Sequence, residues 1–106
     1  MKPARLRPRA ELDLVEMASY YTKVSGRPLA QRAFDTALQA LELVQRQPKS
    51  GSPRLGLICE IPSLRARRVP GFPLQWFYFE RQDHLDVVRL LGDRQDIVGI
   101  LEEGSD

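Results

Sequence analysis

One cysteine, one histidine and three lysines are all that this 106-residue chain has of three residue types on which much protein chemistry depends. Cys59, standing alone, excludes an internal disulfide and any cysteine-rich metal site. Together with an N-terminus, MKPARLRPRAELDL, that lacks the apolar stretch of a signal peptide, it leads to the expectation of a reducing compartment, the cytoplasm. A single histidine, His84, and the lack of clustered carboxylates leave no set of metal ligands. No glycine-rich loop ends in Lys-Ser or Lys-Thr, so no phosphate cradle is expected and no cofactor is implied. Long apolar runs are missing too; nothing approaches the roughly 18 to 20 residues that span a bilayer.

Charge of one sign is also scarce. Sixteen basic against fourteen acidic residues give +2, too little to announce a nucleic-acid binder by bulk charge. The kind of base says more. With only Lys2, Lys23 and Lys49 as lysines, the other thirteen of the sixteen basic residues are arginines. Arginine suits fixed, forked contacts with carboxylate or phosphate, although GC-rich coding also enriches it.

What is present fits one globular α+β domain spanning 1–106, with 42% hydrophobic and 28% charged residues. In ARLRP, residues 4–8, Ala4 and Leu6 alternate with Arg5 and Arg7, and residues 3–7 read as a brief strand. Pro8 suits the first turn of a helix, where a missing N–H costs nothing. Ala10, Leu14, Met17, Ala18 and Tyr21 then form an apolar stripe, with Glu11, Asp13, Glu16 and Lys23 expected largely away from it. Ser25-Gly26 ends this helix. Pro28 opens a second one whose stripe is Ala30, Ala33, Phe34, Ala37, Leu38, Leu41 and Val44, and Pro48 stops it near Gln47. The pair, about 8–47, is an antiparallel hairpin that needs a sheet to cover it. Residues 48–62 read as a loop, rich in Pro, Gly and Ser around PKSGSPRLGL. Beyond them the period changes to that of strands, at 63–69, 74–80 and 85–91, with Gln82-Asp83-His84 as a hairpin tip. A short turn of helix around 96–101 and a fraying acidic tail complete the chain.

One strand breaks the alternation expected of a sheet with a wet face. Trp76, Phe77, Tyr78 and Phe79 stand in an unbroken row, so both faces are apolar. Two helices cover one face. For the other, a protein partner is the economical expectation; the alternative is shielding by a curled sheet or the tail.

These segments resemble a known family. LRPRAELDLVEMASYY, ALQALELVQRQPKSGSPR and LRARRVPGFPLQWFYFERQDHLDVVRLLGDRQD, in that order from about Leu6 to Ile97, are similar to the RelE/ParE superfamily of bacterial toxins, closest to its ParE branch. The resemblance implies a short N-terminal strand and a helical hairpin packed on a three- to four-stranded antiparallel sheet. It also implies a type II toxin neutralised by a cognate, ParD-like antitoxin, of ribbon-helix-helix type. ParE-like members act on DNA gyrase without chemistry; RelE-like members cut messenger RNA on the ribosome, and an inactive homologue that only pairs with its antitoxin is a third reading. Two departures stand out: Arg7 occupies the position of the usual cap before Pro8, and Gly92-Asp93 occupies that of a frequent histidine.

Cutting RNA requires tuned acid and base groups beside a cation. The cations are there, but His84 falls at a hairpin tip, Tyr20 and Tyr21 are expected to pack on the first helix, and Glu60 pairs with no evident base. No catalytic residue is therefore assigned, and binding is expected instead. Arg65, Arg67, Arg68, Arg89 and Arg94 are candidates for bidentate contacts with acidic groups of a partner, or else solvated strand charge. Trp76 and Tyr78 are candidate interface aromatics, Trp76 otherwise core. Cys59 reads as a small apolar filler.

Overall fold

The computed structural model describes residues 1–103. A three-residue strand, β1 (Ala4–Leu6), leads into helix α1 (Pro8–Ser25) and helix α2 (Arg27–Arg46). The helices are joined through Gly26 alone, whose φ of 86° lies in the region that glycine tolerates best. A 3₁₀ turn at Pro48–Ser50 and a five-residue helix, α3 (Arg54–Ile58), follow. Then come β2 (Leu64–Arg68), β3 (Leu74–Glu80), β4 (Leu85–Gly92) and α4 (Ile97–Glu102). The sheet order is β1-β4-β3-β2, an antiparallel meander to which β1 adds in parallel. No helix among the described residues is long and apolar enough to cross a membrane.

The hairpin lies on the sheet face of Trp76 and Tyr78. Ala30, Ala33, Ala37 and Ala40 are all buried, and these small side chains let α2 approach closely. Trp76 is fully buried, and its indole N–H donates to the Ala37 carbonyl at 2.8 Å. A polar atom inside the core is thereby satisfied. Tyr78 is buried likewise; its hydroxyl donates to Pro48 O at 2.6 Å and accepts from Gly51 N at 3.0 Å. Gly51 has to be a glycine here, because a Cβ would sit 2.8 Å from Tyr78 Cε1.

The second sheet face corrects the expectation of a partner. Phe77 is fully buried, with Cys59, Leu64, Ala66, Val88, Leu91 and Leu101, and Leu55, Ile61, Phe79, Ile97 and Ile100 pack at the margin. The cover comes from α3 and α4 of the same chain. Residues 48–62 are accordingly not a plain loop. Gly56 lets α3 lie directly on β2, since a Cβ there would come within 3.0 Å of Ile61 O and 3.2 Å of Leu64 Cβ. A bulge serves both faces at once: pairing steps from Phe77↔Arg89 to Tyr78↔Val87, leaving Val88 as the extra residue. Val87 and Leu90 then join the hairpin-side core, while Val88 and Leu91 join the other.

Asp13 is a second correction. Instead of lying away from the stripe it is buried, and it meets Arg89 in a two-pronged pair: Nε to Oδ2 at 2.7 Å and Nη2 to Oδ1 at 3.0 Å. Asp13 Oδ2 also accepts the Leu90 backbone N–H at 3.0 Å. Pairing with β1 stops at Leu6↔Val87, so this carboxylate serves the β4 edge where β1 has run out. Closer to β1, Arg7 holds Asp86 through Nε at 3.0 Å and Nη2 at 2.9 Å.

Removing one partner of a buried pair leaves the other charge uncompensated, at about 3 to 5 kcal/mol. Asp13→Asn and Arg89→Met are each expected to lower stability by that amount in chemical denaturation. The double variant Asp13→Leu/Arg89→Met should lose less than the sum of the two singles, because no orphan charge remains; a loss equal to that sum or larger counts against this. The hydrogen bond from Arg7, followed by that from Arg81, holds the Asp86 carboxyl below its ordinary 3.8. A depressed folded value means that this contribution is fully present above the unfolded value and is lost as pH falls through the folded one. Melting temperature should therefore drop below about pH 3.8, and Asp86→Asn should flatten that drop, as calorimetry across pH can check.

Candidate partner-binding surfaces

The side chains able to do acid–base chemistry are spread over the molecule, and several are held by neighbours. His84 sits at the β3–β4 tip with Nδ1 at 2.7 Å from Asp83 Oδ1. The Tyr78 hydroxyl is held between Pro48 and Gly51, and burial pushes its pKa up. Tyr21 packs edge-on to Phe72 at 5.7 Å and is likewise raised by burial, whereas Tyr20 is exposed. Cys59 is a buried filler whose thiol is pushed up by desolvation. Glu60 is exposed at the end of α3, in the left-handed region with φ 55°.

The arginines divide in two. Arg89 is buried against Asp13. Arg65, half-buried, donates to the carbonyls of Lys49 at 3.2 Å and Gly51 at 2.7 Å, fixing the turn that also holds Tyr78. Arg67 is half-buried and makes no ion pair among the described residues; Arg68 is exposed and forks onto Asp93 at 2.8 and 3.3 Å. Arg94 is exposed one residue beyond Asp93. The structure thus brings Arg65, Arg67 and Arg68 together along β2, with Arg94 near Arg68 through Asp93. Trp76, Tyr78 and Arg89 lie inside, so contact with a partner through them is closed while the core is intact. Their burial has a physical reason: each supplies the hydrogen bonds that hold a helix or turn on the sheet.

Three surface features escaped the sequence reading. A cleft of about 230 Å³ is lined by Ile61, Leu64, Phe79, Val88 and Leu101, with Arg7 and Arg81 among its walls. The Arg81 guanidinium lies 4.6 Å from the centre of the Phe79 ring and shares Asp86 with Arg7. A groove of about 280 Å³ runs between α1 and α2 beside Ala18, Ala30 and Phe34. On α3, Leu57 and Ile58 project outward, 75% and 53% exposed. The signal for α3 was weak: Pro53 before LGLI marks a possible start, but five residues show no periodicity.

Known proteins bear on this arrangement. The sequence profile described as "ParE toxin of type II toxin-antitoxin system, parDE" matches residues 4–97. No curated protein matches the chain. Among solved structures, the chromosomal ParDE toxin–antitoxin system from P. aeruginosa is similar with a TM-score of 0.74 at 17% identity, over 87% of this chain and 96% of that one. At that identity the likeness is one of fold. The profile spans nearly the whole chain, and the chain belongs to the ParE toxin family of type II toxin–antitoxin systems.

Proposed function

We propose that this ParE-family toxin inhibits DNA gyrase in the cytoplasm by binding it, without bond-making chemistry, and that a ParD-like antitoxin of ribbon-helix-helix type silences it. The observation that carries this reading is the commitment of the reactive groups: the Tyr78 hydroxyl is fastened inside the turn at Pro48 and Gly51, and His84 rests on Asp83 at a hairpin tip. A nuclease needs such groups free and convergent on one phosphate. What the surface offers instead is guanidinium groups, with Arg67, Arg68 and Arg94 as contacts for acidic groups of either partner and Arg65 as the residue that shapes the turn beside them. The P. aeruginosa relative, described as a ParDE system, supports an antitoxin as the natural companion.

The test is expression without antitoxin, following gyrase supercoiling and messenger-RNA integrity in parallel. Gyrase-linked DNA damage with intact RNA is the expected outcome. His84→Ala should leave toxicity unchanged. Arg67→Glu or Arg94→Glu should weaken toxicity or antitoxin pairing by about two- to fivefold, the scale of an exposed ion pair. Rapid RNA cleavage by the parent, abolished in His84→Ala or Tyr78→Phe, would refute the binding mechanism.

A further inference from the structure

The sheet has two edges, and the chain treats them differently. At the β2 edge, Ser52 donates to Ala66 at 2.8 Å and accepts from it at 2.9 Å, so the chain itself closes the middle of that strand. β1 is the opposite edge, and no strand among the described residues lies beyond it. Its backbone groups can be assigned a side. Leu85 N donates to Pro3 O and Arg7 N to Val87 O, both at 2.9 Å, so in this parallel ladder Pro3, Arg5 and Arg7 turn their backbone groups to β4. The N–H and C=O of Ala4 and Leu6 therefore point outward, and they meet no hydrogen-bond partner among the described residues. The side chains divide as well. Ala4 and Leu6 are half-buried and lean on the hairpin-side core. Arg5 is exposed on the other face. Residues 1–9 carry Lys2, Arg5, Arg7 and Arg9 and no acid. Lys2, Arg7 and Arg9 hold carboxylates, whereas Arg5 makes no ion pair among the described residues.

We propose that β1 is the docking edge for the antitoxin: an extended segment of that partner, with an acidic residue between two apolar ones, adds to the sheet as a fifth strand. The inference rests on the reading that an antitoxin silences this toxin, and it names the place and the chemistry. The added backbone takes up the outward groups of Ala4 and Leu6, and main-chain bonds of this kind supply the affinity of strand addition. Residues directly opposite each other share a face, so Ala4 and Leu6 meet the apolar pair and Arg5 meets the carboxylate between them. An edge this short, with an arginine at its centre and Pro3 and Pro8 at its ends, turns away uncharged strands. It turns away a second copy of the chain too, because pairing β1 with β1 about a two-fold axis sets Arg5 opposite Arg5. A nucleic-acid backbone offers Arg5 a phosphate but offers the two carbonyls no donor. A folded target has its strands already paired, whereas a segment that folds on binding arrives with its backbone groups free.

The experiment follows amide hydrogen exchange by NMR in the whole chain, free and saturated with the antitoxin encoded beside it. In the free protein Arg5 and Arg7 should be protected while Ala4 and Leu6 exchange fast. In the complex, Ala4 and Leu6 should slow by about tenfold or more. Three variants separate backbone from side chain. Ala4→Pro removes an outward donor without touching the β4 ladder, Ala4→Val keeps that donor at similar bulk, and Arg5→Glu reverses the central charge. Ala4→Pro and Arg5→Glu are expected to bind the antitoxin about fivefold or more weakly, and Ala4→Val as the parent does. Ala4 and Leu6 amides that stay fast in the complex overturn the proposal, whatever the variants do. So does a loss in Ala4→Val equal to that in Ala4→Pro, which makes the edge a packing surface, or full affinity in Arg5→Glu, which removes the acidic contact. Protection of the same amides in concentrated toxin alone overturns it in favour of a second copy. An antitoxin that binds but shields other amides brings down the added strand and leaves the silencing reading; a parent that binds no antitoxin brings down both.

Discussion

The Asp13 carboxylate holds the two halves of the molecule together. β1 pairs only three residues of β4, so the edge of that strand stays open from Val88 onward. The Leu90 N–H points out of the edge into the interior beneath α1, where it needs an acceptor from the protein itself. An unpaired donor there costs about as much as a lost hydrogen bond or more. Asp13 fills the place with one oxygen, and both of its oxygens then bind the Arg89 guanidinium. Arg9, 3.6 Å away, adds a second positive charge from the helix itself. A buried charge pair contributes little net stability over a hydrophobic equivalent. Its value here is positional: a slip of α1 by one turn leaves a carboxylate, a guanidinium and a backbone donor unpaired at once.

With α1 fixed over β4, the aromatic row on β3 finds its two covers. Alanines on α2 give Trp76 its space and its hydrogen-bond acceptor. On the other side, Phe77 and Phe79 lie beneath two short helices that could not exist alone; at five and six residues, α3 and α4 fall below the length at which a helix is stable in water. They persist because they are packed, and α4 is aided by Asp96, which caps its start by accepting the Gly99 N–H at 3.2 Å. Sheet and covers stabilise each other, which is how a chain of 106 residues buries both sides of a four-stranded sheet.

The same lengths explain what could be read from the sequence. The hairpin and the meander carry eighteen- and twenty-residue helical stripes and a change of period, bounded by Pro8, Gly26, Pro48 and Pro73, and all were legible. α3 offers less than two turns within a stretch rich in proline and glycine, so local turn signals outweighed it, and with it went the cover for Phe77. Asp13 was misplaced because its charge was weighed above its spacing: it stands three after Ala10 and four before Met17, squarely on the buried face. Arg89 shared its fate, since a lone arginine in a strand looks solvated until its partner, seventy-six residues away, is known. The arginines of β2 stand on an edge strand, Arg68 exposed and Arg65 and Arg67 half-buried; which carbonyls or carboxylates they meet depends on loops that no periodicity encodes.

This division bears on how such a molecule can act. Polar side chains in the interior are consumed by structure: Tyr78 and Arg65 hold the turn after α2, and Asp13 and Arg89 hold α1 to the sheet. Catalysis requires the opposite, groups whose protonation is tuned and whose lone pairs are available to a substrate. A scaffold that spends its buried polar groups on anchoring has shape and charge left to present at its surface. Both are rigidly presented here, because each surface arginine of β2 and each projecting residue of α3 is mounted on an element covered from behind. Rigid presentation lowers the ordering cost of association, the term on which the proposed binding mechanism depends.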